Sequence, residues 1–292
     1  MKLRHLVLLG GSGYIGQTFQ EVLQKRGISF RNFSRSELDY YHPQKLVEAL
    51  KQEKPDCLIN AAGYTGKPNV DACEDDKANC LLGNAVLPGV IREVCESQDI
   101  PWGHVSSGCI YTSKGTDGRP FVEEDKPNFS FRTNNCSFYS GTKALGEEVL
   151  DGAEKCYIWR LRIPFDERNN PRNYLSKLLH YEWLLDAENS ISQRFEFIDA
   201  CLKSFEMDLP YGKYNVTNPG SISAREITEI MKKHGLVKKE LKFFESEEAF
   251  MNQVVRAPRS NCVMSSEKLT RAGIHMTEVH EAVDKACANW IE

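Results

Sequence analysis

Tyr139 and Lys143 stand four positions apart in the run Tyr139-Ser-Gly-Thr-Lys143. On a helix that spacing puts both on one face, a turn apart. A free phenol has a pKa of about 10, poorly matched to proton transfer near neutrality, and an ammonium beside it favours the phenolate and lowers that value. Ser107, at the end of the apolar run that closes with Val105-Ser-Ser107, can hydrogen-bond the same substrate oxygen. Together the three are expected to polarise a carbonyl and deliver a proton as a hydride arrives. Tyr-x-x-x-Lys alone arises often by chance, so its weight depends on the elements that precede it.

Those elements begin with a second spacing. Gly10, Gly13 and Gly16 form G-x-x-G-x-x-G between an apolar run, Leu3 to Leu9, and a helical pattern that reaches about Arg26. The first glycine permits a tight turn, the second lets backbone N–H groups approach a pyrophosphate, and the third lets the helix pack closely on the strand. A dinucleotide is the expected ligand. The end of the second strand selects between its two forms, because an acidic side chain there would hold the adenosine ribose hydroxyls. The chain instead has Ser34-Arg35-Ser36, with no acid until Glu37. Hydroxyls and a guanidinium suit a 2′-phosphate, which favours NADPH, with NADH as the alternative.

Strand and helix patterns alternate through the first half. Strands are expected at Leu3–Leu9, Ile28–Phe33, Asp56–Asn60, Ile100–Ser106 and Cys156–Leu161, and helices after Gly13, at Pro43–Glu53, Cys80–Ser97 and Ser137–Leu150. This is the signature of an α/β fold, a Rossmann-type doubly wound parallel sheet with helices on both faces. After about residue 164 the pattern loosens, leaving a strand near Lys213–Thr217 and helices at Ala224–His234 and Glu278–Ile291. The expected organisation is a dinucleotide-binding domain over 1–163, returning near 190–218, and a smaller C-terminal substrate-binding lobe over 164–292. Asn169-Asn-Pro-Arg172 and Pro258-Arg-Ser260 look like ligand-facing loops.

Composition narrows the function classes. Of 292 residues 41% are hydrophobic, which excludes an intrinsically disordered chain. A net charge of −4 gives no broad attraction to nucleic acid or anionic lipid. No apolar run approaches the ~20 residues of a membrane helix. The stretch Leu6–Leu9 is too short for a secretory signal, so a cytoplasmic protein with reduced thiols is expected. The ten cysteines include no C-x-x-C pair, which disfavours a metal site, and nine of them read as small core residues, Cys109 being the exception.

Six segments resemble the extended short-chain dehydrogenase/reductases, and within them the dTDP-4-dehydrorhamnose reductase-like branch. They are Asn60-Ala-Ala-Gly-Tyr-Thr-Gly-Lys-Pro-Asn-Val-Asp71-Ala-Cys-Glu74, Ser107-Gly-Cys-Ile-Tyr111, Phe138-Tyr-Ser-Gly-Thr-Lys143, Asn170-Pro-Arg-Asn173, Asn215-Val-Thr-Asn-Pro-Gly220 and Arg256-Ala-Pro-Arg-Ser-Asn261. The nearest resemblance is to bifunctional UDP-4-keto-6-deoxyglucose 3,5-epimerase/4-reductases. It implies a reductase triad of Ser107, Tyr139 and Lys143, with the pyrophosphate cradled by Gly10, Gly13, Tyr14 and Ile15. It implies an adenosine side lined by Ala61, Ala62 and Gly63, and Asn84 supporting the lysine or a water. Asn173 and Arg259 would meet the nucleotide-diphosphate sugar, and a homodimer is common among such proteins.

The resemblance also bears on epimerisation. A sugar 4,6-dehydratase would carry acids after the triad hydroxyl, where this chain has Gly108 and Cys109. Cys109 is the implied base for the protons next to the ketone, since removing either gives an enolate whose oxygen Ser107 and Tyr139 can stabilise. Lys177 is the candidate for the opposing acid and His180, one turn later, its rival. UDP and dTDP sugars both remain open, as do a reductase without epimerase activity and a non-catalytic NADP-binding regulatory subunit.

Overall fold

The structure, a computed structural model, describes residues 1–67, 69–254 and 256–292. Six parallel strands form the main sheet. β1 (His5–Leu9), β2 (Ser29–Phe33), β3 (Cys57–Asn60), β4 (Trp102–Ser107), β5 (Cys156–Leu161) and a sixth strand, Gly212–Asn215, lie in the order β2-β1-β3-β4-β5-sixth. β3 is buried along its whole length and β1 nearly so, as strands covered on both faces must be, whereas the edge strand β2 alternates exposed and half-buried residues.

The pleat sorts the core. Leu6 and Leu8 of β1, with Tyr157 and Trp159 of β5, pack on one face against Phe19 and Leu23 of α1 (Tyr14–Lys25). Val7 and Leu9, with Ile158, pack on the other face against Leu46 and Leu50 of α2 (Pro43–Glu53). Successive side chains of one strand therefore feed opposite cores. Helices on both faces make the sheet doubly wound.

The expected helix Cys80–Ser97 is instead three pieces: α3 (Lys77–Leu81), a π turn over Leu82–Val86, and α4 (Leu87–Ser97). Pro88 has no N–H to give the Asn84 carbonyl, and the Leu87 N–H bonds back to Leu82, five residues earlier. α5 (Phe138–Val149) is capped by the Ser137 hydroxyl, which accepts from the Ser140 N–H.

Beyond β5 the chain makes α6 (Tyr174–His180), α7 (Arg194–Glu206), α8 (Ala224–Lys233), α9 (Glu247–Val254), α10 (Glu267–Arg271) and α11 (Val279–Ala288). α7 is a helix that the periodicity reading passed over. Its Phe197, Cys201 and Phe205 join α1 on the first face of the sheet. Leu269, Ile274 and Met276 return to that same core. A third core unites Phe165, Leu175, Leu178, Ile191, Ile227, Val279 and Val283 under three two-residue strand pairings. Eight cysteines are buried; Cys109 and also Cys136 are half-buried, so Cys136 departs from the expected core role. No described helix is long and apolar enough to cross a membrane.

Candidate active site

β1 lies between β2 and β3, so the chain reverses its direction across the sheet at the β1/β3 boundary, where open α/β sheets bind ligands. The loops after these two strands touch. Gly10 has φ +81°, and a Cβ there would fall 2.4 Å from the Ala62 nitrogen. A Cβ on Gly16 would fall 2.1 Å from the Gly10 carbonyl oxygen, so α1 could not start so close to the strand. Gly13 is the N-cap of α1 and leaves the helix N-terminus open toward the crevice.

The loop side chains go elsewhere. Tyr14 lies under the Arg194 guanidinium, 3.9 Å from ring centre, and donates to Asp166 at 3.4 Å, while Ile15 packs on the first core. Both can therefore offer only backbone to a pyrophosphate. Ala61 and Ala62 bind the Leu9 carbonyl and the Asn60 side chain through their N–H groups, and Gly63 stays exposed. At the end of β2, Ser34, Arg35 and Ser36 are exposed, and Arg35 takes part in no ion pair among the described residues. The two hydroxyls bond each other at 3.0 Å at the surface, and with the exposed, carboxylate-free Arg35 guanidinium they fit the 2′-phosphate of NADPH.

α5 presents a stripe at spacing four: Tyr139, Lys143 and Glu147. Ser107, at the tip of β4, accepts from the Cys109 N–H at 3.1 Å and acts on the Tyr139 phenol in favour of its charged form. Lys143 Nζ donates to the Val105 carbonyl at 3.2 Å. Burial drives the Lys143 ammonium down to about 8 against the opposing pull of Glu147. The Tyr139 phenol is raised, first by burial and next by Cys109, with Ser107 working the other way. This departs from the expectation of a more acidic phenol: loss of hydration dominates, and the cysteines beside it, Cys109, Cys73 and Cys80, push the same way. Glu147 itself is fixed by Arg160 at 2.8 Å and by the Ser106 hydroxyl at 2.5 Å, and all three groups are buried. The sequence spacing alone contained this carboxylate, one turn beyond Lys143.

Asn84 sits in the π turn and is 1% exposed. Its amide bridges the Tyr64 backbone in both directions at 2.8 Å and donates to Thr142 at 3.1 Å. It fastens the loop after β3 to α5 at Thr142, next to Lys143, and makes no described contact with Lys143 itself.

Cys109 accepts from Arg162 Nη1 at 3.1 Å. No motif pointed to Arg162; its signal was a second arginine, after Arg160, in an otherwise apolar run. Lys177 is half-buried on α6, where burial and the charges of Arg172 and Arg259 hold its ammonium below the usual value. His180 ends α6 exposed. Arg172 donates to Thr65 and to the Gly66 carbonyl, and Arg259 grips Asp71 through two bonds of 2.6 and 2.7 Å. Both loops singled out as ligand-facing thus reach the segment after β3. Asn173 is corrected: it is fully buried, caps α6 by accepting from Leu175 N–H, and spends its amide on Asp166 and the Arg168 carbonyl. Among the described residues no cluster of metal-binding side chains occurs.

Comparison with known proteins follows the same residues. The family model described as RmlD substrate binding domain matches residues 4–189. A bifunctional dTDP-4-dehydrorhamnose 3,5-epimerase/dTDP-4-dehydrorhamnose reductase of Arabidopsis thaliana is 31% identical over 288 residues, 96% of this chain and 91% of that protein. A trifunctional UDP-glucose 4,6-dehydratase/UDP-4-keto-6-deoxy-D-glucose 3,5-epimerase/UDP-4-keto-L-rhamnose-reductase of the same plant is 31% identical over 284 residues. The chain covers only 41% of that longer protein. A UDP-rhamnose synthase structure from Acanthamoeba polyphaga mimivirus superposes with a TM-score of 0.90 at 21% identity, over 99% of this chain and all of that one. A dTDP-4-dehydrorhamnose reductase from Bacillus anthracis, solved with NADP, gives 0.81 at 18% identity over 97% and 98% of the two chains. The matched span takes in the glycine crevice, the α5 stripe and α6, and the Arabidopsis likeness extends through nearly the whole length; this chain belongs to the RmlD-like reductase family, on an extended short-chain dehydrogenase/reductase fold.

Proposed function

We propose that this chain reduces the 4-keto group of a nucleotide-diphosphate-linked 4-keto-6-deoxysugar with NADPH after epimerising it at carbons 3 and 5, UDP-4-keto-6-deoxy-D-glucose becoming UDP-L-rhamnose. The observation that carries the reading is the packing of α5 on the tip of β4, which brings Tyr139 and Lys143 to Ser107. NADPH, when bound, supplies hydride to the ketone carbon. Ser107 holds the ketone oxygen, Tyr139 gives it a proton, and Lys143 favours the charge left on the phenol. Gly10, Gly13 and Gly16 with the α1 N-terminus would receive the pyrophosphate, Ser34 and Arg35 the 2′-phosphate, and Ala61 to Gly63 the adenosine side.

Epimerisation needs a base on one face of the sugar and an acid on the other. Cys109 stands next to the oxygen-binding pair, and Lys177, whose ammonium is made readier to release its proton, is the opposing acid. Arg259, set beside Arg172 and Lys177, would bind the diphosphate by exchanging Asp71 for phosphate oxygens. Residues 1–163 with 190–218 would then serve the cofactor and 164–292 mainly the sugar. The relatives' names support an epimerase as well as a reductase.

The test is incubation with UDP-4-keto-6-deoxy-D-glucose and NADPH in deuterated water. Cofactor consumption with deuterium at carbons 3 and 5 is expected. A lack of consumption, with the dTDP sugar too, rejects the reductase, and unlabelled product rejects the epimerase.

A further inference from the structure

Asp166 is fully buried and Arg194 is 5% exposed, and they form an ion pair that the chemistry proposed above does not use. Burying two charges is costly, and apolar side chains of similar volume in their place are often as stable or more so. Such side chains would have had partners here. Phe165, next to Asp166, belongs to the third core, and Phe197, one turn beyond Arg194, to the first. What an ion pair adds over apolar contact is direction, because each charged hydrogen bond fixes the group at its other end.

The groups so fixed belong to different elements. Asp166 Oδ1 accepts from the Tyr14 hydroxyl at 3.4 Å, the Arg168 N–H at 3.1 Å and the Asn173 amide at 2.9 Å, while Oδ2 takes Arg194. Arg194 Nη1 donates to the Tyr14 carbonyl at 2.9 Å, and its guanidinium covers the Tyr14 ring. Tyr14 is the first residue of α1, at the helix end that faces the crevice. Asn173 is the N-cap of α6, and the Lys177 N–H donates to its carbonyl at 3.1 Å. Alongside, Arg168 grips Glu21, two turns along α1, through two bonds of 2.7 Å. The start of α1 and the start of α6 are thus joined through one carboxylate.

We propose that the Asp166–Arg194 pair is a joint that fixes α6 to the cofactor end of α1, so that a dinucleotide held there steadies the helix carrying Lys177. Asp166 is the positioning residue: it acts through Tyr14 on one side and Asn173 on the other. The inference rests on the reading of the glycine crevice as a pyrophosphate cradle and of Lys177 as facing the sugar. A pyrophosphate bonded to the first N–H groups of α1 restricts Tyr14, and the restriction passes through Asp166 to Asn173. Ordering of α6 that the first ligand completes need not be repeated for the second, so cofactor and sugar raise each other's affinity by one common factor. With the joint broken, Lys177 is displaced, while Ser107, Tyr139 and Lys143, on β4 and α5, keep their places.

The experiment is amide hydrogen exchange of the wild-type protein with and without NADP⁺. Exchange across α6 is expected to slow roughly fivefold or more when NADP⁺ is bound. Unchanged exchange in α6 with NADP⁺ bound overturns the joint, whereas no NADP⁺ binding at all overturns the cofactor reading and this inference with it. A second arm uses the Asp166→Leu/Arg194→Met double variant, which removes both charges and leaves neither buried alone. It should still bind NADP⁺ but lose the effect on α6. Its deuterium incorporation at carbons 3 and 5 should fall roughly tenfold or more, while reduction of the already epimerised 4-ketosugar stays near the wild-type rate. A pair that only holds the fold together would lower both rates alike, and an equal fall in both rejects the positioning role. If the double variant does not fold, the wild-type exchange decides. If the wild type incorporates no deuterium, the epimerase reading is lost and exchange in α6 still judges the joint.

Discussion

A phenol that must give up a proton in a reduction has first to hold it. Burial keeps Tyr139 protonated, and the same burial lowers Lys143 to about 8, so the acid is ready while its neighbour sits near a change of charge. The sign follows directly. Below about 8 Lys143 is an ammonium and can favour the phenolate that forms; above it the charge and the help are lost. The kcat/KM for reduction, which reports the unliganded enzyme, is expected to fall along an alkaline limb centred near pH 8. A rate that climbs steadily to pH 10 would remove Lys143 from this role.

At the scale of elements, α5 and the π turn are fitted to each other. A Cβ on Gly146 would lie 2.2 Å from the Asn84 carbonyl oxygen, the acceptor that Pro88 leaves unused. In an open helix Gly→Ala stabilises by up to ~1 kcal/mol. Here the backbone of the π turn would have to move, and overpacking of that kind costs about 1–3 kcal/mol. Gly146→Ala is therefore expected to lower the urea midpoint; a gain in stability would show that the turn yields freely. The sequence made β1, β5 and α2 legible because Leu6 to Leu9 is wholly apolar, Cys156 to Leu161 is apolar but for Arg160, and Leu46 and Leu50 stand one helical turn apart. The π turn left no such mark, since it depends on a proline four residues after a carbonyl that a second helix covers. α7 did carry its mark, in Phe197, Cys201 and Phe205, and was overlooked amid two-residue strands too short to show a period.

Across the whole molecule, arginines late in the chain close on the loop after β3. Arg259 meets Asp71, Arg256 meets Asp75, and Arg172 meets Thr65 and Gly66. The Arg256 pair is largely exposed and contributes little. The Arg259 pair is mostly shielded, and its fork lies with Lys177 where a diphosphate would need charge. Arg259→Met is expected to raise the KM for the nucleotide sugar roughly tenfold or more while leaving NADPH affinity unchanged, in line with a lost charge-assisted bond of ~1.5–3 kcal/mol. An unchanged KM would return Arg259 to a purely structural pairing.

Local order was set by the sequence alone: the alternation of apolar runs and helical stripes, the glycines before α1, and the four-residue interval between Tyr139 and Lys143 follow from backbone geometry within a few turns. Only the folded chain decided what each polar side chain is used for. Asn173 and Asn84 turned out to be spent on tying neighbouring segments together, Arg162 was set against Cys109 across 53 residues, and Tyr139 was dried enough to reverse its expected shift. Such outcomes depend on burial and on partners remote in sequence, and neither quantity exists until the sheet and its flanking segments have come together.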